Sequence, residues 1–203
     1  MKRLLLLFML CSIMVSFVKS APKVLLFIKD GSPQLEFMLT NEVGKMIEII
    51  KQSGFEVVVA TISGEELKAG SITIKPDLRL GEVNIDEYAG FILPCMVVDL
   101  TSPEMITFVK AIVDKGKPIA AQVGSVFILA KAGILNGKKY AFVNDQGMAP
   151  DFKGAVYSGY GVVQDGLIIT SGTCPWMAKT TGHTDCTAAL SIALIDVIKT
   201  INK

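Results

Sequence analysis

Five short apolar runs constrain this chain most. Lys23 to Ile28 (KVLLFI), Phe55 to Ala60 (FEVVVA), Gly90 to Pro94 (GFILP), Pro118 to Val123 (PIAAQV) and Leu167 to Ser171 (LIITS) are apolar without alternation. Strands buried on both faces of a parallel sheet read this way. Such a sheet needs helices on both sides, and the intervening segments supply them. Ser32 to Gly54 offers a capping serine, Pro33 in the first turn, apolar residues at helical spacing and a glycine stop. Thr101 to Gly116 repeats that layout, with Thr101 or Ser102 as the cap. A last helix is predicted from about Thr187 to Ile201, burying Leu190, Ala193, Leu194 and Val197. Two stretches break the alternation: GSITIKPDLRL from Gly70, and Gly154 to Gly172, where Asp165-Gly166 suits a hairpin turn. The expected fold is α/β, a doubly wound, mostly parallel sheet with helices on both faces and a small antiparallel accessory hairpin. Ligand sites in such sheets lie beyond the carboxyl ends of the strands.

The N-terminus reads as an export signal. Lys2 and Arg3 precede the apolar run Leu4 to Val18, and Val18 and Ser20 are small enough for a cleavage site before Ala21. The run has 15 residues, short of the roughly 20 that span a bilayer, so cleavage is expected rather than a permanent anchor. Cys11 follows Leu10 instead of a small residue, which argues against lipidation. Removal of residues 1–20 leaves one domain, 21–203, with 17 basic against 19 acidic side chains, a net charge of −2. That balance does not suit a nucleic-acid phosphate backbone. The expected setting is periplasmic or extracellular, with no membrane association after cleavage.

The strand ends expected to carry a site are Lys29 to Glu36, Cys95 to Asp99 and Val123 to Val126. The wording of these segments, KVLLFIKDGSPQLEF, GFILPCMVVDL, GKPIAAQVGSVFILAKAGILNGKK and DGLIITSG before the small-residue helix TAALSIALIDVI, resembles the ThiJ/PfpI family of the class I glutamine amidotransferase-like superfamily. The resemblance runs from about Lys23 to Ile198. It implies a flavodoxin-like fold and, in active members, a cysteine on the elbow after the fourth strand, assisted by a glutamate from the loop after the first strand and often by an adjacent histidine. Glyoxalase, deglycase, peptidase and chaperone-like activities occur in the family, and homo-oligomers are common.

Carried onto this chain, the resemblance places Glu36 on the glutamate, Val123 on the cysteine, Gly124 on the histidine and Ser125 on the following glycine. Cys95 and Met96 replace the glycine pair that helps form the oxyanion hole. An isopropyl group cannot do what a thiolate does, and a β-branched residue at positive φ is an outlier. Two outcomes are open: the turn relaxes, or Gly124 takes over the unusual dihedral angles.

Other groups could substitute. Cys95 is the sharper candidate for a relocated nucleophile working with Glu36 on a carbonyl or acyl substrate; otherwise it is a small buried hydrophobe. Glu36 is either a crevice carboxyl acting as acid, base or ligand acceptor, or an exposed first-turn residue favoured by the helix dipole. Ser125 lacks the Gly-x-Ser-x-Gly frame, though a Ser125, His183, Asp185 triad can be written down. Cys174 and Cys186 flank a loop longer than the family's, and in an exported protein they are candidates for a disulfide. The alternatives are reduced, buried thiols or a metal site with His183 and Asp185, whose spacing fits no strong zinc pattern. Trp176 reads as a loop anchor. No cofactor motif is present: GSVFILAKAG is neither a P-loop nor a dinucleotide fingerprint, although its helix start could hold a small anion through free amides.

Two functions follow. The first is an exported, non-catalytic domain binding a small molecule or protein, with Glu36, Met96, Val123, Gly124 and Ser125 lining the site. The second is an enzyme using Cys95 and Glu36.

Overall fold

The computed structural model describes residues 20–31, 34–95 and 102–202. The expected export signal (residues 1–19), Ser32, Pro33, Met96 and Thr101 lie outside the described residues.

The first apolar run forms β1 (Lys23–Phe27), and the helical segment after it begins as α1 (Leu35–Met38). A π turn, Leu39–Val43, joins α1 to α2 (Gly44–Gln52) in place of an uninterrupted helix. The Thr40 hydroxyl donates to the Glu36 carbonyl and the Asn41 amide to that of Phe37, each at 2.9 Å. Side chains that bond carbonyls one turn back compete with the α-helical ladder, and the helix widens here.

Strand β2 (Glu56–Thr61) leads to a hairpin of β3 (Leu67–Ala69) and β4 (Ile72–Ile74), and then to short β5 (Leu78–Arg79) and β6 (Tyr88–Leu93). Helix α3 (Pro103–Asp114) is capped by Ser102, whose hydroxyl accepts from the Met105 amide. Next come β7 (Ile119–Gln122), a tight turn over Val123–Ser125, and α4 (Val126–Lys131). A small pair, β8 (Lys139–Tyr140) and β9 (Val156–Tyr157), precedes the hairpin of β10 (Val162–Asp165) and β11 (Ile168–Ser171). Helices α5 (Pro175–Thr181) and α6 (Thr187–Ile201) complete the described chain.

The main sheet has the order β10-β11-β7-β6-β1-β2-β5. All its pairs are parallel except the β10–β11 hairpin. The inner order β2-β1-β6-β7-β11 is the doubly wound, flavodoxin-like arrangement expected. α2 packs with α6, and α3 with α4. Between these layers Leu25, Leu26, Phe91, Ile92 and Ile119 are buried, each worth about 1.5–3 kcal/mol. The carboxyl ends of β1, β6, β7 and β11 therefore open on one edge, where the loops carrying the polar chemistry meet.

Candidate functional site

The buried carboxyl at this edge is Glu42, not Glu36. Glu36 is exposed, with its carboxyl over Gly70 of the β3–β4 hairpin. Glu42 sits in the π turn and is fully buried, and its Oε1 accepts from the Cys95 amide at 2.6 Å. Its other oxygen, Oε2, is buried without a hydrogen-bond partner. Burial pushes this carboxyl well above its ordinary range, and the nearby Cys174 sulfur adds to the shift. The shift favours the protonated form of Glu42, and its Oε2 meets no partner among the described residues.

Cys95 lies just past β6, and the influence of Cys174, burial and the Glu42 carboxyl hold it well above a normal thiol. It is thus a poor thiolate nucleophile, contrary to the role a relocated site would ask of it. Cys174 carries the opposite perturbation. The influence of Cys95 lowers it, burial opposes, and the amides of Met177 and Trp176 lower it further. Glu42, Cys95 and Cys174 influence one another: the carboxyl and Cys95 are raised and Cys174 is lowered.

The elbow follows neither sequence expectation. Val123 itself holds the left-handed turn at φ 42, and Gly124 stays out of that region. Its isopropyl group is buried. Ser125 is buried too, and its hydroxyl donates to the Pro94 carbonyl at 2.5 Å, tying the elbow to the end of β6. No Ser125 triad forms. His183 stacks on Tyr160 with ring centroids 4.0 Å apart, and Asp185 pairs with Lys45 at 3.3 Å.

The structure holds Cys174 and Cys186 as free thiols rather than a disulfide. The Cys186 sulfur lies 3.0 Å from the Thr173 hydroxyl. Among the described residues no group of three His, Cys, Asp or Glu side chains is arranged to hold a metal. Trp176 packs edge-on against Phe37, with centroids 5.6 Å apart.

Two residues escaped the sequence reading. Glu42 stands four residues after Met38 and four before Met46, on the stripe that continues to the buried Ile50. A carboxylate inside an apolar helical stripe was the available signal. Gln122, the last residue of β7, is fully buried. Its Nε2 donates to the Thr173 carbonyl at 2.6 Å and to the Thr187 hydroxyl at 3.2 Å. Thr187 in turn donates to Asp185 at 2.6 Å. This network fixes the loop that presents Cys174, and a lone polar residue closing an apolar strand was its only trace. A hollow of about 1010 Å³ lies at the opposite end of the sheet, between Pro22, Phe55, Ala89 and Ile198, away from the thiols and Glu42.

Comparison with known proteins agrees with this architecture. A deglycase of Thermococcus kodakarensis is 30% identical over 121 residues, covering 58% of this chain and 69% of that one. A Methanocaldococcus jannaschii protein is 31% identical over 141 residues, covering 64% and 67%. Among solved structures, a ThiJ/PfpI domain protein from Brachyspira murdochii superposes with a TM-score of 0.69 at 15% identity, over 90% of this chain and 99% of that one. Drosophila melanogaster DJ-1β gives 0.64 at 23% identity, over 89% and 95%. These two share the fold. The family model of the DJ-1/PfpI family matches residues 22–179, most of the described domain, and the chain belongs to the DJ-1/PfpI family.

Proposed function

We propose that this chain is a member of its family that has given up reaction at the elbow and binds a small oxygen-bearing molecule in the crevice beside Glu42 and the Gly124 turn. The observation that carries this reading is the buried Glu42 with an unpartnered Oε2, held by burial toward its protonated form. An unmet buried donor costs about 1–3 kcal/mol, and a ligand carbonyl, hydroxyl or carboxyl oxygen would satisfy it. The family's deglycase relative favours small carbonyl compounds and the hydroxy acids related to them. The absence of a nucleophile at Val123, together with a Cys95 amide already occupied by Glu42, supports binding without acyl or carbonyl turnover at the elbow. The segment Lys2 to Ser20 favours export, so we place this binding outside the cytoplasm. The resemblance favours a homo-oligomer there.

A second reading, an enzyme with a relocated thiol, has one observation behind it. Cys174 is lowered while Glu42 is raised, the separation expected of a nucleophile and an acid.

Calorimetric titration with hydroxyacetone and lactate, paired with a methylglyoxal consumption assay, tests both. Glu42→Gln keeps a donor and an acceptor in place and should retain binding; Glu42→Leu should lose tenfold or more. No methylglyoxal should be consumed enzymatically. Consumption abolished by Cys174→Ser would replace the binding reading with the enzymatic one.

A further inference from the structure

We propose that α5 is a lid over the carboxyl edge of the sheet, latched on Phe37 and hinged at Gly182. Its purpose rests on the binding reading above; its motion does not. None of the seven residues of α5 is buried, whereas Cys174 before it and Cys186 after it both are. Among the described residues, the hydrogen bonds of residues 175–182 run within residues 174–183. The Ala178 amide donates to the Cys174 carbonyl at 2.8 Å and the Gly182 amide to the Ala178 carbonyl at 3.0 Å. The Thr180 and Thr181 hydroxyls bond carbonyls of the same helix. The helix supports itself, and no polar bond among them ties it to the sheet.

The base of the segment is closed. The Thr173 hydroxyl donates to the Thr184 carbonyl at 2.7 Å. The Thr173 carbonyl accepts from the Cys186 amide at 3.2 Å and from Gln122 at 2.6 Å. Asp185 reaches Lys45 of α2 at 3.3 Å, and His183 stacks on Tyr160. Gly182 stands between this anchored His183 and the helix, at φ 76, a left-handed angle that glycine adopts without steric cost. A loop whose ends are pinned side by side can swing about them while the strands stay in place.

The latch is apolar. Trp176 and Met177 are half-buried against the core. The Trp176 ring meets Phe37 edge-on at 5.6 Å, and the Lys179 ammonium lies 6.0 Å from the centroid of the same ring. Phe37 belongs to α1, which follows β1, and α5 follows β11. The sheet order puts β7 and β6 between those two strands. The steps β11–β7, β7–β6 and β6–β1, each about 4.8 Å, amount to roughly 14 Å. The Phe37–Trp176 contact therefore bridges the carboxyl ends of β6 and β7, where Cys95 and the Val123 turn stand. Releasing one ring uncovers that edge, and mobile lids are drawn from such weakly held segments.

The test uses the full chain, whose one tryptophan is Trp176. Nuclear magnetic relaxation dispersion on the Trp176 indole and the Lys179 amide should reveal one shared exchange process, while the amides of Thr173 and Thr187 stay flat. Phe37→Ala should move both lid signals toward the minor state that the wild-type dispersion defines, red-shift Trp176 emission and strengthen its quenching by acrylamide. The Ala178 and Gly182 amides should stay protected from hydrogen exchange, because a lid swings as an intact helix. Flat dispersion at Trp176 in the wild type would overturn the proposal, and that measurement decides alone if Phe37→Ala does not fold. Loss of protection at Ala178 and Gly182 in the variant would overturn it as well, since the segment would then melt instead of swinging. Hydroxyacetone separates the lid from its ligand. Dispersion suppressed by bound hydroxyacetone supports closure over the crevice, and dispersion unchanged by bound hydroxyacetone would overturn that role. Dispersion on a chain that binds no hydroxyacetone upholds the motion and overturns the crevice reading instead.

Discussion

The Cys95 amide donates to Glu42 Oε1 over 2.6 Å, joining the end of β6 to a carboxyl that sits where an apolar side chain would otherwise complete the helical stripe. That bond alone would favour the charged carboxylate, yet burial outweighs it and the carboxyl is raised. The native state therefore binds more protons than the unfolded chain at pH values above the ordinary glutamate pKa of about 4.3.

A pH dependence of stability follows. Glu42's preference for the neutral form is fully compatible with folding below the unfolded pKa, and stability falls as pH rises toward the raised native pKa. Glu42→Gln is neutral throughout and should remove this slope. Urea unfolding of wild type and variant at pH 5 and pH 8 should show the variant gaining, relative to wild type, up to about 1.4 kcal/mol for each pH unit inside the window. A difference independent of pH would mean that Glu42 ionises as it does in water.

Val123 stores strain. At φ 42 a β-branched residue costs on the order of 1–3 kcal/mol. Its buried side chain returns a similar amount. Val123→Gly should therefore change stability by less than about 1 kcal/mol. Val126→Gly truncates an equally apolar, buried valine in regular helix geometry and should cost about 3 kcal/mol. Urea midpoints of the two variants give the comparison, and equal losses would mean that the elbow carries no strain.

The legible and illegible parts of this chain divide along physical lines. The apolar runs place the five inner strands to within a residue or two, because continuous burial writes itself into every position. Thr187–Ile201 is the predicted last helix to the residue. The site is less legible. The resemblance brings Glu36 to it, but Glu36 is exposed and the buried carboxyl is Glu42, in a π turn over Leu39–Val43 that interrupts the regular helical count. Cys174 and Cys186 flank one loop in sequence, yet the Cys186 sulfur settles beside the Thr173 hydroxyl, a placement set by tertiary contacts that no local pattern records.

Gln122 anchors the loop that carries Cys174, and its removal should be costly. Gln122→Leu would leave the Thr173 carbonyl and the Thr187 hydroxyl without the donor that now reaches them at 2.6 and 3.2 Å. Each buried group left unmet costs about 1–3 kcal/mol, so a total loss of roughly 2–5 kcal/mol is expected from thermal or urea unfolding. Hydrogen exchange should show the α6 start opening before the sheet core. Retention of wild-type stability would mean that Gln122 packs as an apolar residue.

Gly172 gives the sharpest steric prediction. A Cβ placed there would meet the carbonyl carbon of Phe142 at 2.3 Å and its oxygen at 2.4 Å, both backbone atoms that cannot rotate away. At Gly90 the nearest atom is the Ile198 Cδ1 at 2.6 Å, the movable end of a side chain. Gly172→Ala should thus cost about 3 kcal/mol and Gly90→Ala about 1 kcal/mol, since alanine also restricts the unfolded chain. Urea midpoints of the two variants give the comparison, and equal losses would show that the chain at Gly172 relaxes away from Phe142.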